Sequence, residues 1–182
     1  MKYKKTRTKH KRALTLILIA ILLLLLAAAA AVLLFTKRTK QGPLEGPCRV
    51  LKVYDGDTIS VLIGNTETTI RMIGIDTPES VNRDQSKNTP EGMEVSLWLH
   101  DCLEGRKVWL EYDEQREDRY GRTLAYVWLD EGETMLEDVL LKNGMALTLP
   151  IEPNLRYSSR FSELERQAKR EKAGFWGSGF FK

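Results

Sequence analysis

Histidine and cysteine are nearly absent from this chain. Its 182 residues include two of each, His10 and His100, Cys48 and Cys102. A zinc centre built from clustered Cys and His is therefore excluded, and at most one disulfide can form. Residues 1–40 lack acidic side chains entirely, yet they carry ten of the 28 Lys and Arg residues. The formal charge of +3 thus belongs to the N-terminus, and the rest of the chain holds 18 basic against 25 acidic residues, a net −7. Generic attraction of a basic surface to a polyanion is excluded for that part as a whole. Any polyanion bound there needs a local cationic cluster and a bound cation. There is no internal repeat.

Long hydrophobic runs are missing with one exception. Residues 13–35 are 23 consecutive uncharged residues, nearly all Leu, Ile and Ala, enough to cross a bilayer as a helix. Seven cations precede the run in residues 1–12, and three follow it closely, Lys37, Arg38 and Lys40. That asymmetry assigns 1–12 to a basic cytoplasmic tail and everything after the span to the outside of the cell membrane. The alternative is a signal peptide cleaved within Ala27–Ala31, with the domain secreted. The anchor is favoured because the apolar run continues through Phe35, longer than a signal h-region. Residues 36–47, with Gly42-Pro43 and Gly46-Pro47, read as a linker, 48–177 as the folded domain and 178–182 as a C-terminal tail.

Within the domain, strand-like runs occur at Cys48–Tyr54, Thr58–Ile63, Thr68–Ile73, Val108–Tyr112 and Leu124–Leu129, with turns at Asp55-Gly56 and Gly64-Asn65. Ser80–Thr89 is polar and reads as a surface loop. Thr89-Pro90-Glu91 predicts a helix start, with Met93, Leu97 and Cys102 or Leu103 facing inward and Gly105 ending it. Thr134-Met-Leu-Glu137 predicts a capping box for a helix that buries Met135, Leu136, Val139 and Leu140. A last helix is expected over Ser158–Lys172, with Phe161, Leu164 and Ala168 inward. Five strands and three helices predict an α+β, mainly β fold: a Greek-key barrel with helices packed on it, for which an OB-like barrel is one architecture. Cys48 and Cys102 would join the first strand to the end of the first helix as a disulfide, favoured in oxidising surroundings, or stand as two buried thiols.

The chemistry concentrates in two acidic segments, Asp55-Gly56-Asp57-Thr58 and Arg71-Met-Ile-Gly-Ile-Asp76-Thr77-Pro78-Glu79. The hairpin between them brings its ends together, so Asp57 and Asp76 can form a hard-cation site of the kind Ca²⁺ takes, completed by a backbone carbonyl and waters. Arg71, and Arg122 from Asp118-Arg119-Tyr120-Gly121-Arg122, suit the equatorial oxygens of a phosphorane. Glu79 suits a general base or a water-orienting group, with Pro78 aiming it and Asp76 into one pocket. A metal-assisted phosphodiesterase needs this set. His100 reads as a surface or core filler.

The patterns VxDGDT, RxxGIDTPE and DRYGRxLAYVW, together with Gln167–Trp176, resemble the staphylococcal (micrococcal) nuclease or thermonuclease family over about Val50 to Trp176. The resemblance implies an OB-fold barrel, so the domain over 48–177 is expected to be the nuclease domain, and a monomer is expected. It also implies Ca²⁺-dependent hydrolysis of DNA and RNA at the P–O5′ bond, leaving 3′-phosphate ends. By motif, Asp57, Asp76 and the Thr77 carbonyl match the calcium ligands, and Arg71, Glu79 and Arg122 the catalytic set. Tyr120, with its neighbour Arg119, matches the substrate-binding tyrosine that hydrogen-bonds a terminal phosphate.

Two departures stand out. Where well-known members carry a tyrosine pair that packs on the base, this chain reads Leu147-Thr-Leu149-Pro150-Ile151, with Tyr157 a possible substitute. The domain is also acidic where those members are basic. An inactive nucleic-acid-binding module and a membrane-anchored structural protein that binds Ca²⁺ are the rival readings. The first would lack an Arg or Glu of the catalytic set. The second leaves Arg71, Glu79 and Arg122 without work.

Overall fold

The structure, a computed structural model, describes residues 41–81 and 84–182. The tail and apolar span expected over 1–35 lie outside the described residues. Among the described residues, no helix is long and apolar enough to cross a membrane. The strands are β1 (Leu44–Asp55), β2 (Thr58–Ile63), β3 (Thr66–Met72), β4 (Gly74–Asp76), β5 (Lys107–Glu111), β6 (Thr123–Trp128) and β7 (Leu147–Leu149). The helices are α1 (Pro90–Leu103), α2 (Leu136–Lys142), α3 (Ser158–Glu171) and the single turn α4 (Phe175–Ser178).

Five strands close into a barrel in the order β1-β2-β3-β6-β5. The β3–β6 pairing is parallel, and β5 returns antiparallel to β1. Period-two alternation fills the interior. Val50, Ile59, Val61, Ile70, Val108, Leu110, Ala125 and Val127 are all fully buried. Each of the larger ones contributes about 1.5–3 kcal/mol by leaving water. The expected mainly β barrel with packed helices is therefore what forms.

Three boundaries differ from the sequence reading. β1 begins at Leu44, because Leu44 and Glu45 pair with Glu111 and Leu110 and the register slips before Cys48. That irregularity accommodates Pro47, which cannot donate to a ladder, so the linker ends earlier than residue 47. The strand expected over Thr68–Ile73 runs Thr66–Met72, and a separate strand starts at Gly74, where φ is +81°. From there β4 leaves the barrel and pairs with β7, Asp76 opposite Leu147. A side chain at Gly74 would meet the Phe161 ring at 2.8 Å. The last residues are also no free tail: Phe181 is buried with its ring against Phe175 and Trp176.

Three side-chain assignments also change. α1 starts as expected, with the Thr89 hydroxyl accepting from the Gly92 N–H at 3.0 Å. Its inward face, however, is Gly92, Val95, Leu99 and Leu103, while Met93 and Leu97 are 49% and 58% exposed. The rotation is set by Gly92, which lies against the Pro78–Glu79 backbone. The capping box on α2 does not form: its cap is Met135 with no side-chain bond. Glu137 instead turns inward, fully buried, and both its oxygens accept from the Val127 N–H, at 3.0 and 3.2 Å. Cys48 and Cys102 are free thiols, not a disulfide. The buried Cys48 thiol donates to the Glu45 carbonyl at 3.9 Å.

Candidate functional site

The β2–β3 register pairs Thr58 with Arg71, and the Met72 N–H donates to the Asp57 carbonyl at 2.9 Å. This fixes Asp57 and Arg71 side by side at one end of the barrel. Arg71 then bridges the two expected cation ligands: Nη1 lies 2.8 Å from Asp57 Oδ2, and Nη2 lies 3.2 Å from Asp76 Oδ1. Asp57 is buried and also accepts from the Thr58 hydroxyl at 2.9 Å and the Thr77 N–H at 3.4 Å. Burial raises its carboxyl above the ordinary aspartate value. Arg71 and Thr58 oppose that rise, while Asp55 and Asp76 add to it.

Arg122 reaches the same region from the β5–β6 connection. Gly121 there has φ +77°, a left-handed turn that favours glycine. Asp118 organises this turn. It accepts from the Tyr120 and Arg122 N–H groups at 2.9 and 3.0 Å and from Arg122 Nε at 2.7 Å. Burial alone would raise the Asp118 carboxyl, but those bonds and the Arg122 charge hold it below the usual range. Glu79 is exposed and lines one depression together with Asp57, Arg71 and Arg122. Asp76 meets this depression through Arg71 and does not itself line it.

Glu79 is held through its backbone. Its carbonyl accepts from the Thr89 N–H at 2.9 Å, and Gly92 of α1 is so close that a Cβ there would lie 2.2 Å from the Glu79 oxygen. On the other side, Asp55 Oδ1 accepts from Ser80 at 2.7 Å and Ser96 at 3.3 Å, tying the end of β1 to the segment after Glu79 and to α1. Asp118, Asp55 and Gly92 were not singled out in the sequence as positioning residues. The four-residue spacing of Asp118 and Arg122 across a Gly turn was a legible signal for the first; nothing local marked the other two.

Four carboxylates, Asp55, Asp57, Asp76 and Glu79, stand against two guanidiniums, Arg71 and Arg122, a formal surplus of two negative charges. A divalent cation with oxygen preference fits that donor set. Among the described residues, no group of three or more His, Cys, Asp and Glu side chains is arranged to hold a metal. Such a cation would rest on Asp57, Asp76 and backbone oxygen.

Next to this depression, sharing Arg71 and Arg122, is a pocket of about 440 Å³ walled by Leu124, Leu149, Ile151 and Tyr120. Tyr120 is 69% exposed, and its hydroxyl accepts from Arg119 Nη2 at 2.6 Å. Tyr157 is not in this pocket. It is buried, with its hydroxyl donating to the fully buried Glu111 at 2.9 Å, so it does not replace the missing tyrosine pair.

The family model described as staphylococcal nuclease homologue matches residues 69–178. The chain belongs to the staphylococcal nuclease family. Among family members, it is similar to the thermonuclease of Staphylococcus hyicus, 42% identical over 130 residues, covering 71% of this chain and 75% of that protein. It is 36% identical over 127 residues to the thermonuclease of Staphylococcus intermedius, covering 70% and 74% respectively. Endonuclease YncB of Bacillus subtilis (strain 168) is 36% identical over 132 residues, 71% of this chain and 61% of that protein. The five-stranded barrel is the expected scaffold for this family, and the Arg71, Glu79 and Arg122 positions all fall within the matched residues.

Proposed function

We propose that this chain is a calcium-dependent nuclease that hydrolyses DNA and RNA at the P–O5′ bond, leaving 3′-phosphate ends. One observation carries the reading: Arg71 and Glu79 of one segment and Arg122 of another line one depression beside Asp57. The names of the relatives, thermonuclease and endonuclease, support the same class.

Each residue then has a task. Arg71 and Arg122 offer guanidinium forks to the non-bridging oxygens of the scissile phosphate, where charge gathers in the transition state. Glu79 accepts the proton of the attacking water, and the 5′-oxygen leaves and takes up a proton. Asp118 holds Arg122 in place through the Nε contact. Bound at Asp57, Asp76 and the Thr77 carbonyl, Ca²⁺ would supply charge neutralisation at the phosphate and a more acidic water. On a domain of net −7, that cation and the two arginines provide most of the attraction for substrate. Arg119 and Tyr120 would contact a neighbouring phosphate.

We place the domain outside the cell membrane as a monomer, anchored by residues 13–35, or secreted if that segment is cleaved. The supporting observation is the charge asymmetry around the apolar run. Mass spectrometry of membrane and medium fractions decides between the two.

The activity test is digestion of plasmid and RNA by wild type and Glu79→Ala, with Ca²⁺ and with EDTA. Cleavage by wild type with Ca²⁺, lost in EDTA and in the variant, is expected. Cleavage unchanged in EDTA would overturn the calcium mechanism. Inactivity of wild type with Ca²⁺ would leave a nucleic-acid-binding module.

A further inference from the structure

The catalytic depression has a second flank that the proposed reaction does not use. Tyr54, the penultimate residue of β1, lines the same depression as Glu79, Arg71 and Arg122, and so does Val81. Both are exposed, Tyr54 at 38% and Val81 at 70%. Tyr54 is presented there by an irregularity in β1. The register against β2 slips between Val53 and Asp55, and a bulge of this kind re-aims a side chain. Nothing in the core requires an aromatic ring at this point. Lys52, two residues earlier, sits with its ammonium 4.9 Å from the ring centroid.

The pocket of Leu124, Leu149 and Ile151 shares Arg71 and Arg122 with this depression, whereas Tyr54 lines the depression and not the pocket. A phosphodiester carries one nucleoside on each side of its phosphorus. With the phosphate on Arg71 and Arg122, one nucleoside meets the aliphatic pocket and the other meets Tyr54. A phenol ring offers a nucleobase a stacking surface that tolerates any base, because every base has a π-face. A lysine beside that ring provides the positive charge that the adjoining backbone phosphate needs, on a domain otherwise acidic.

We propose that Tyr54, with Lys52, forms a stacking subsite for the nucleobase across the scissile phosphate from the Leu149–Ile151 pocket, so that this chain grips single-stranded substrate by an aromatic contact on the flank opposite its aliphatic one. This inference rests on the nuclease reading. Its occupant is an unpaired base of DNA or RNA, not a protein or a lipid, since the ring lies within the phosphate-binding depression.

The test is a cycle on the full chain in detergent, using short single-stranded oligonucleotides with one cleavable linkage. Three substrates are compared: fully base-bearing, abasic on one side of the scissile phosphate, and abasic on the other. Tyr54→Ala is expected to lower kcat/KM about tenfold on the fully base-bearing strand. For one of the two abasic strands the loss should vanish, since no base remains to stack, and for the other it should persist. Tyr54→Trp should restore cleavage, and Lys52→Ala should weaken the salt dependence of KM. Equal losses on all three substrates would mark Tyr54 as a purely structural residue and overturn the subsite, as would no loss on any. The abasic strands keep the two readings apart, because a nuclease must still cleave them whatever Tyr54 does. If wild type cleaves none, the nuclease reading fails. The same cycle, read by fluorescence anisotropy of the intact strands, then decides the subsite by whether Tyr54→Ala weakens binding only when the base is present.

Discussion

Gly92→Ala tests whether α1 positions the Glu79 carboxylate, the proposed general base. Ordinarily the exchange helps a helix, since glycine is about 1 kcal/mol worse than alanine in a helix interior. Here a Cβ would sit 2.2 Å from the Glu79 carbonyl oxygen, 2.4 Å from its carbon and 2.6 Å from the Pro78 oxygen. All three are backbone atoms, so no rotamer change relieves the contact. Normal van der Waals separation requires the Pro78–Glu79 peptide to retreat by about 1 Å, a displacement of the size that costs on the order of 100-fold when it moves a catalytic group. The strain should cost about 1–3 kcal/mol of stability, offset in part by the helix propensity gained.

The expected result is therefore a lopsided one. The rate of cleavage on a single-stranded substrate at saturating Ca²⁺ should fall about 100-fold, while urea unfolding loses no more than about 2 kcal/mol. Met93→Ala, on the next residue of the same helix and 49% exposed, should change neither. Activity of Gly92→Ala within threefold of wild type would refute the idea that the first turn of α1 holds Glu79 in register.

Three further outcomes are expected. Arg122→Lys keeps the charge but loses the fork and the Nε bond to Asp118 at 2.7 Å, so kcat should drop about 100-fold; a thermal melt should move little, since a part-exposed pair is worth under about 1 kcal/mol. Leu99→Ala, fully buried, should cost about 2–5 kcal/mol in urea unfolding, whereas Leu97→Ala at 58% exposure should cost under about 0.5 kcal/mol; the reverse ranking would restore the inward face read from the sequence. Glu137 is held protonated well above the ordinary glutamate range by burial, with Asp138 and Glu111 adding to the rise. The unfolded chain releases this proton near about pH 4.3 while the folded one keeps it, so this group makes stability fall as pH rises from there, by up to about 1.4 kcal/mol per unit. Glu137→Gln keeps an acceptor for Val127 and should gain on wild type as pH rises above about 4.3; parallel urea curves would refute this.

What the sequence could reveal of this site was set by how local each constraint is. The Asp57–Arg71 contact follows from a hairpin whose two strands are contiguous and whose register is fixed by alternation, and the structure pairs Thr58 with Arg71 accordingly. The Asp118–Arg122 turn is equally local, five residues closed by a glycine at φ +77°. The departure of β4 from the barrel is different in kind: it depends on Gly74 lying against Phe161 and on β7 waiting some seventy residues on. No period in Thr68–Ile73 encodes that. The phase of α1 failed for a related reason. Met93 and Leu97 make as good an apolar stripe as Val95 and Leu99, and a contact between Gly92 and a peptide thirteen residues upstream selects between them. Glu137 shows the same competition from the polar side. The four-residue pattern of a capping box is satisfied, yet the Val127 N–H on β6 claims the Glu137 carboxyl oxygens. Tyr157, offered as a base-stacking ring, is claimed in turn by Glu111. In each case a side chain suited to a local role was taken by a partner from another element. The aromatic ring that does reach the depression around Glu79, Tyr54, got there through a slip in strand register that no alternation pattern displays.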